Sequence, residues 1–161
     1  MIAITRKSCG MGLFAVGVGS LSFALIAQYG FDLEPCVLCL IQRVPYAVVA
    51  AIGLALVIVP LPGRLGLTLA ALTFAIGSAI AVYHVGVEQH WWASATCGAE
   101  AGGIMTMEEM LAAIETKPPK PCDQVDWTFL GLSMATYNVF FSFALAGLSL
   151  VAARIVGSRS E

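Results

Sequence analysis

The stretch 65–87, LGLTLAALTFAIGSAIAVYHVGV, contains no Asp, Glu, Lys or Arg. A helix needs about 20 mainly apolar residues to cross the hydrocarbon core of a bilayer. This run reaches that length, and it lacks the polar face that a surface helix of a soluble domain would show. Three further runs are equally free of charge: 8–31, 44–63 and 127–153. Together they fill most of a 161-residue chain that is 59% hydrophobic and 11% charged. The pattern argues against a soluble domain. It predicts an all-α membrane protein, a single integral domain over 1–161 with transmembrane helices at about 11–29, 36–59, 65–85 and 132–153. The first two turns are short, so neighbouring helices run antiparallel and an up-down bundle is the simplest architecture.

The first run follows Arg6 and Lys7, as the apolar core of a signal peptide would. No small-x-small cleavage site follows it, so it reads as a retained helix. Basic residues orient the bundle. With the N-terminus inside, Arg6, Lys7, Arg64, Arg154 and Arg159 share the cytoplasmic side, and Lys117 and Lys120 lie outside. The outside loop, about 86–131, is acidic and excludes a nucleic-acid surface. Within it Ile104, Met107, Leu111 and Ile114 fall on one helical face. Thr106 and Glu109 match a capping box, and Pro118-Pro119 ends the segment. This predicts a short amphipathic helix, resting on the membrane surface or on the bundle top.

Five cysteines divide along the same topology. Cys36, Cys39, Cys97 and Cys122 fall at the outer side and Cys9 at the inner side. Four cysteines in an oxidising compartment suit two pairs. Cys36 and Cys39 form a C-x-x-C at the start of the second helix, with Pro35 read as its first residue. The positive end of the helix dipole favours thiolate there, which points to redox exchange; a structural disulfide or a zinc site are the other chemistries of such a pair. Arg43 lies on the same face, placed to stabilise a thiolate or to bond a ligand carbonyl. Pro45 should bend the helix beside it. Cys97 and Cys122 suit either a static staple or an exchanging pair.

Other features read as support. Ala71, Ala75 and Ala79 form a small-residue stripe for close helix packing. Trp91 and Trp92 suit interfacial anchors. Glu88 reads as a solvated loop charge, and Asn138 as a hydrogen-bond donor to a neighbouring helix. His84 and His90 lack a partner set for a metal or haem, and no metal is expected.

The ordered combination is specific. Pro35-Cys36-Val37-Leu38-Cys39 opens the second helix, Arg43 follows four residues on, a loop cysteine pair precedes the fourth helix, and 126–132, DWTFLGL, follows the last cysteine. In these features the chain resembles the DsbB family, quinone reductases of bacterial disulfide formation. The resemblance implies an inner-membrane protein with both termini cytoplasmic and the redox loops periplasmic. It implies a DsbA-type thioredoxin-fold partner that attacks a Cys97–Cys122 disulfide through Cys97. Cys122 would exchange with Cys36, Cys39 would be the thiolate that faces the quinone ring with Arg43 beside it, and ubiquinone, or menaquinone, of the membrane pool would take the electrons.

Two competing readings differ from this one. A vitamin K epoxide reductase-like oxidase places its C-x-x-C after the loop cysteines, the reverse of the order here. A non-catalytic assembly protein with two structural disulfides leaves Arg43 beneath the dithiol without a purpose.

Overall fold

The computed structural model describes residues 5–93, 120–125 and 127–158. Its helices are α1 (Arg6–Gly30), α2 (Val37–Ile41), α3 (Arg43–Ile58), α4 (Gly63–Glu88) and α5 (Met134–Ser158). Four spans are long and apolar enough to cross a membrane: Arg6–Gly30, Val37–Ile58, Gly63–Glu88 and Met134–Gly157. The predicted bundle is therefore present, with most helices extended by a few residues beyond the charge-free runs. Large apolar side chains such as Phe23, Ile58, Leu72, Phe143 and Leu148 stay exposed on the outside of the bundle, as a lipid solvent allows.

α1 packs on α3, α3 on α4 and α4 on α5. The core that joins them holds Leu13, Tyr46, Val49, Leu56, Leu67, Phe74 and Ala146. Lipid tails are as apolar as the helices, so association depends on close packing and not on water exclusion. Glycines provide it between α1 and α3. A Cβ on Gly53 would lie 2.5 Å from the Phe14 backbone N and 2.7 Å from the Gly10 carbonyl O; one on Gly17 would lie 2.6 Å from the Tyr46 carbonyl O. The alanine stripe expected on the third transmembrane helix does not do this work: Ala71 is buried, but Ala75 and Ala79 are exposed. α4 instead buries Ala70, Phe74, Gly77, Ser78 and Ala81, because its partners lie on both sides and shift the buried face.

The second crossing is broken at Gln42, between α2 and α3. Pro45 has no N–H for the Ile41 carbonyl and its ring crowds that oxygen, so the helix opens there. A departure from an all-helical chain is a two-residue antiparallel hairpin, β1 (Thr128–Phe129) with β2 (Leu132–Ser133). Its turn residues Leu130 and Gly131 have φ of 49° and 79°, the positive values a tight hairpin needs at both positions. The expected amphipathic helix over Ile104–Ile114 lies outside the described residues.

Candidate functional site

Cys36 is the N-cap of α2, with φ −73° and ψ 170°. Pro35 therefore precedes the cap and does not occupy the first helical position. Caps are usually oxygen-bearing residues that bond an orphan N–H of the first turn. Here sulfur takes that role: Cys36 Sγ accepts from the backbone N–H of Cys39 at 3.3 Å. The two sulfurs lie 2.9 Å apart, within hydrogen-bond reach of each other.

Other donors decide which sulfur bears the charge. Cys36 Sγ also faces His84 Nε2 at 3.6 Å, a contact that favours its charged form. These donors favour a negative charge on Cys36. Cys36 stands just outside the span that begins at Val37. Its thiol is held well below the usual thiol range, first by the hydrogen bond from Cys39, then by that from His84, against the opposing effect of burial.

His84 and Glu88 reach the site from α4, one turn apart. His84 Nε2 is 3.7 Å from Glu88 Oε1, and both side chains are almost fully buried. Glu88 Oε2 accepts from Ser133 Oγ at 2.5 Å. Glu88 is thus no solvated loop charge; the last turn of α4 carries it inward beneath the hairpin. On its other side His84 Nδ1 is 2.7 Å from Gln42 Nε2. Gln42 Oε1 accepts from Asn138 Nδ2, and Tyr46 donates to Asn138 Oδ1. Asn138 binds a neighbouring helix as its place in an apolar run suggested. Cys36 Sγ, Cys39 Sγ and a His84 ring nitrogen lie within 4.8 Å of one another, a spacing that would also admit a thiophilic metal.

A cavity of about 780 Å³ opens beside the dithiol. Cys36, Cys39, Arg43 and His84 line it together with apolar side chains such as Val16, Phe23 and Phe141. Its size and mixed wall are those of a small-molecule site. Arg43 Nη1 donates to Gln28 Oε1 at 2.7 Å, which fixes the guanidinium and leaves further N–H groups for a ligand.

Cys122 is 1% exposed and belongs to the same buried cluster as Cys36, Leu38 and Val87. It is disulfide-bonded, while Cys9, Cys36 and Cys39 are free thiols. Cys97 lies outside the described residues. Cys9 sits on α1, away from the dithiol, and packs against the core. His90 is exposed and pairs with Asp123 at 3.7 Å. Trp91 is exposed, and Trp92 folds back to donate to the Tyr83 carbonyl at 3.1 Å. Charge patterning did not reveal Gln28 and Gln42. Their signal was present, since an uncharged polar side chain inside an apolar helix asks for a partner.

The family described as "Disulfide bond formation protein DsbB" matches residues 6–152. A disulfide bond formation protein B of Aromatoleum aromaticum is 35% identical over 85% of this chain and 86% of its own length. One from Xylella fastidiosa is 34% identical over 97% and 91%, and one from Pasteurella multocida 30% identical over 91% and 84%.

Proposed function

This chain belongs to the DsbB family of disulfide bond formation proteins, and from that premise we propose that it reoxidises a periplasmic DsbA-type dithiol protein, with ubiquinone as electron acceptor and menaquinone as the variant acceptor. The protein sits in the bacterial inner membrane with both termini cytoplasmic and its redox loops periplasmic. The observation that carries the reading is the buried cluster shared by Cys122 and Cys36 beside a cavity lined by Cys39 and Arg43.

The sulfur chemistry is an exchange in steps. A thiolate of the reduced partner attacks Cys97 of the Cys97–Cys122 disulfide, and Cys122 leaves as thiolate. Cys122 attacks Cys36 of the Cys36–Cys39 disulfide and releases Cys39. The second partner thiolate then displaces Cys97, completing the partner's disulfide. Cys97 attacks Cys122, restoring the loop disulfide and freeing Cys36. The Cys36–Cys39 dithiol now holds two electrons.

The cavity suits a quinone ring: most of its wall is apolar, and Arg43 brings donors to it. Bound there, the quinone supplies a sink for two electrons and two protons. This chain's residues do the rest. Cys36 is held towards its charged form, Cys39 faces the ring, Glu88 lies within reach of the His84 ring nitrogen that faces Cys36, and Arg43 would orient the carbonyl. Arg43→Met should raise the KM for quinone about 10- to 100-fold, the loss of a charged hydrogen bond of about 1.5–3 kcal/mol, with a smaller change in kcat. Steady-state kinetics at varied quinone would show this; an unchanged KM removes Arg43 from the site.

A thiolate on Cys36 also has a pH signature. With its pKa lowered, the fraction ionised stays high as pH falls below neutrality, where an ordinary thiol loses about tenfold per unit. Iodoacetamide labelling of Cys36 in the reduced protein, read by peptide mass spectrometry, should change little between pH 8 and pH 6. A tenfold fall per unit would return the charge to an ordinary thiol.

The function is tested with purified protein in detergent without oxygen, by adding reduced DsbA-type protein and quinone and following quinone absorbance. Catalytic loss of quinone is expected. Absence of turnover with ubiquinone, menaquinone and several thioredoxin-fold donors would favour inert structural disulfides.

A further inference from the structure

We infer that Gln42 and Asn138 are positioning residues that hold His84 in its Nε2–H tautomer, so that the imidazole donates to the Cys36 sulfur and refuses a thiophilic metal. The inference rests on reading Cys36 and Cys39 as the reactive dithiol.

Gln42 is 7% exposed and His84 4%, so neither side chain can turn to water for a missing partner. Gln42 Nε2 lies 3.4 Å from the Leu38 carbonyl and 2.7 Å from His84 Nδ1. A carbonyl only accepts. The Leu38 carbonyl also accepts from the Gln42 backbone N–H at 3.0 Å, so turning the amide over would not orphan it but would set two oxygens against each other in a buried site. With Nε2 facing Leu38, Gln42 Oε1 faces Asn138 Nδ2. Asn138 Oδ1 in turn accepts from Tyr46 and, at 3.0 Å, from Ser142 Oγ. The amides, the hydroxyls and the ring thus form one directed chain from α5 through the break at Gln42 to α4.

The end of that chain is His84 Nδ1, which receives a hydrogen and so carries none of its own. A neutral imidazole then keeps its proton on Nε2. Nε2 faces two acceptors, Cys36 Sγ at 3.6 Å and Glu88 Oε1 at 3.7 Å. Which nitrogen is protonated follows from the bond made by the other.

The same tautomer decides the metal question. Cys36, Cys39 and His84 have the spacing of a three-donor zinc site. A histidine that binds metal through one nitrogen donates its other N–H to an acceptor, and such outer partners contribute about 10- to 100-fold in metal affinity. Here the other nitrogen faces a donor, the opposite polarity. Metal at Nε2 would require the proton to move to Nδ1 and the Gln42 amide to turn against Leu38. A reduced dithiol is thereby kept for exchange and is not captured by zinc.

The chain has two histidines, His84 and His90, so ring-¹⁵N labelling of the reduced protein gives two signal sets, assigned with His90→Gln. His84 in the unmodified sequence should show a protonated Nε2 and a bare Nδ1. Gln42→Glu puts an acceptor opposite Nδ1 and should place a proton there. Co(II) added without oxygen should give no thiolate-to-cobalt absorption band in the wild type. In Gln42→Glu it should bind at least about tenfold more tightly, and Cys36→Ser in that background should abolish the band. A bare Nε2 in the wild type, tight Co(II) binding by the wild type, or an unmoved tautomer in a folded Gln42→Glu protein would each overturn the inference. The wild-type spectrum decides it even where a variant does not fold. None of these readouts involves turnover, so a failure of the quinone reading would appear separately, in the assay above.

Discussion

Cys36→Ser and Cys39→Ser are each expected to lower thiol-to-quinone turnover by at least about three orders of magnitude, the scale of losing a covalent nucleophile. The two should fail differently. Cys36 is the sulfur packed with Cys122, so Cys36→Ser leaves Cys122 without a target and no Cys36–Cys122 bridge can form. In Cys39→Ser, Cys36 cannot close a disulfide with its neighbour 2.9 Å away, but its thiolate can still attack Cys122 of the loop disulfide and release Cys97 as thiolate. That variant should hold a Cys36–Cys122 bridge with Cys97 free before any reduced partner is added, visible by non-reducing peptide mapping. Cys36→Ser retaining more than about a tenth of wild-type turnover would contradict the assignment of Cys36 as the entry sulfur.

The second large effect concerns the fold. Gly53→Ala should destabilise the protein by about 3 kcal/mol or more, because the new Cβ meets backbone at 2.5 and 2.7 Å and backbone cannot rotate away. Gly12→Ala is the internal control: its Cβ meets nothing within 4 Å, and replacing a helical glycine in open space should stabilise by about 0.5–1 kcal/mol. Thermal melts in one detergent would compare the pair. Equal melting temperatures would mean that α1 and α3 do not rely on this contact.

The membrane spans were legible because they depend on a one-dimensional property, the absence of charge over enough length, which no tertiary contact can reverse. The break at Gln42 was legible from Pro45 for a similar local reason. The packing faces were not. Ala71, Ala75 and Ala79 were evenly spaced, yet α4 turned a different face inward, because the partner helix decides which small residues are used. Gly53 carried no spacing signal of its own; its role comes from Gly10 and Phe14 on another helix. In the site, Cys36, Cys39 and Arg43 stood out through motif spacing. His84 and Glu88 did not, because they join the dithiol only through a contact between residues 36 and 84. Gln42 and Asn138 were hidden by their neutrality. A charge scan passes over amides, though in an apolar helix they are the groups most in need of a partner.

The sulfur that caps α2 has a thermodynamic consequence for the proposed cycle. Cys36 closes the helix end best as a thiolate, since a negative acceptor bonds the first-turn N–H groups more strongly than a neutral one. A disulfide at Cys36 removes that charge. The helix end therefore stabilises one redox state over the other, and the reduction potential of the pair moves with it: each 1 kcal/mol of preference for the thiolate raises the potential by about 20 mV for a two-electron couple. Anything that strengthens the start of α2, even a change that never touches sulfur, makes the Cys36–Cys39 disulfide a stronger oxidant towards the loop pair and a less willing donor to quinone. Helix stability at this point and driving force along the electron path are one quantity, divided between two half-reactions.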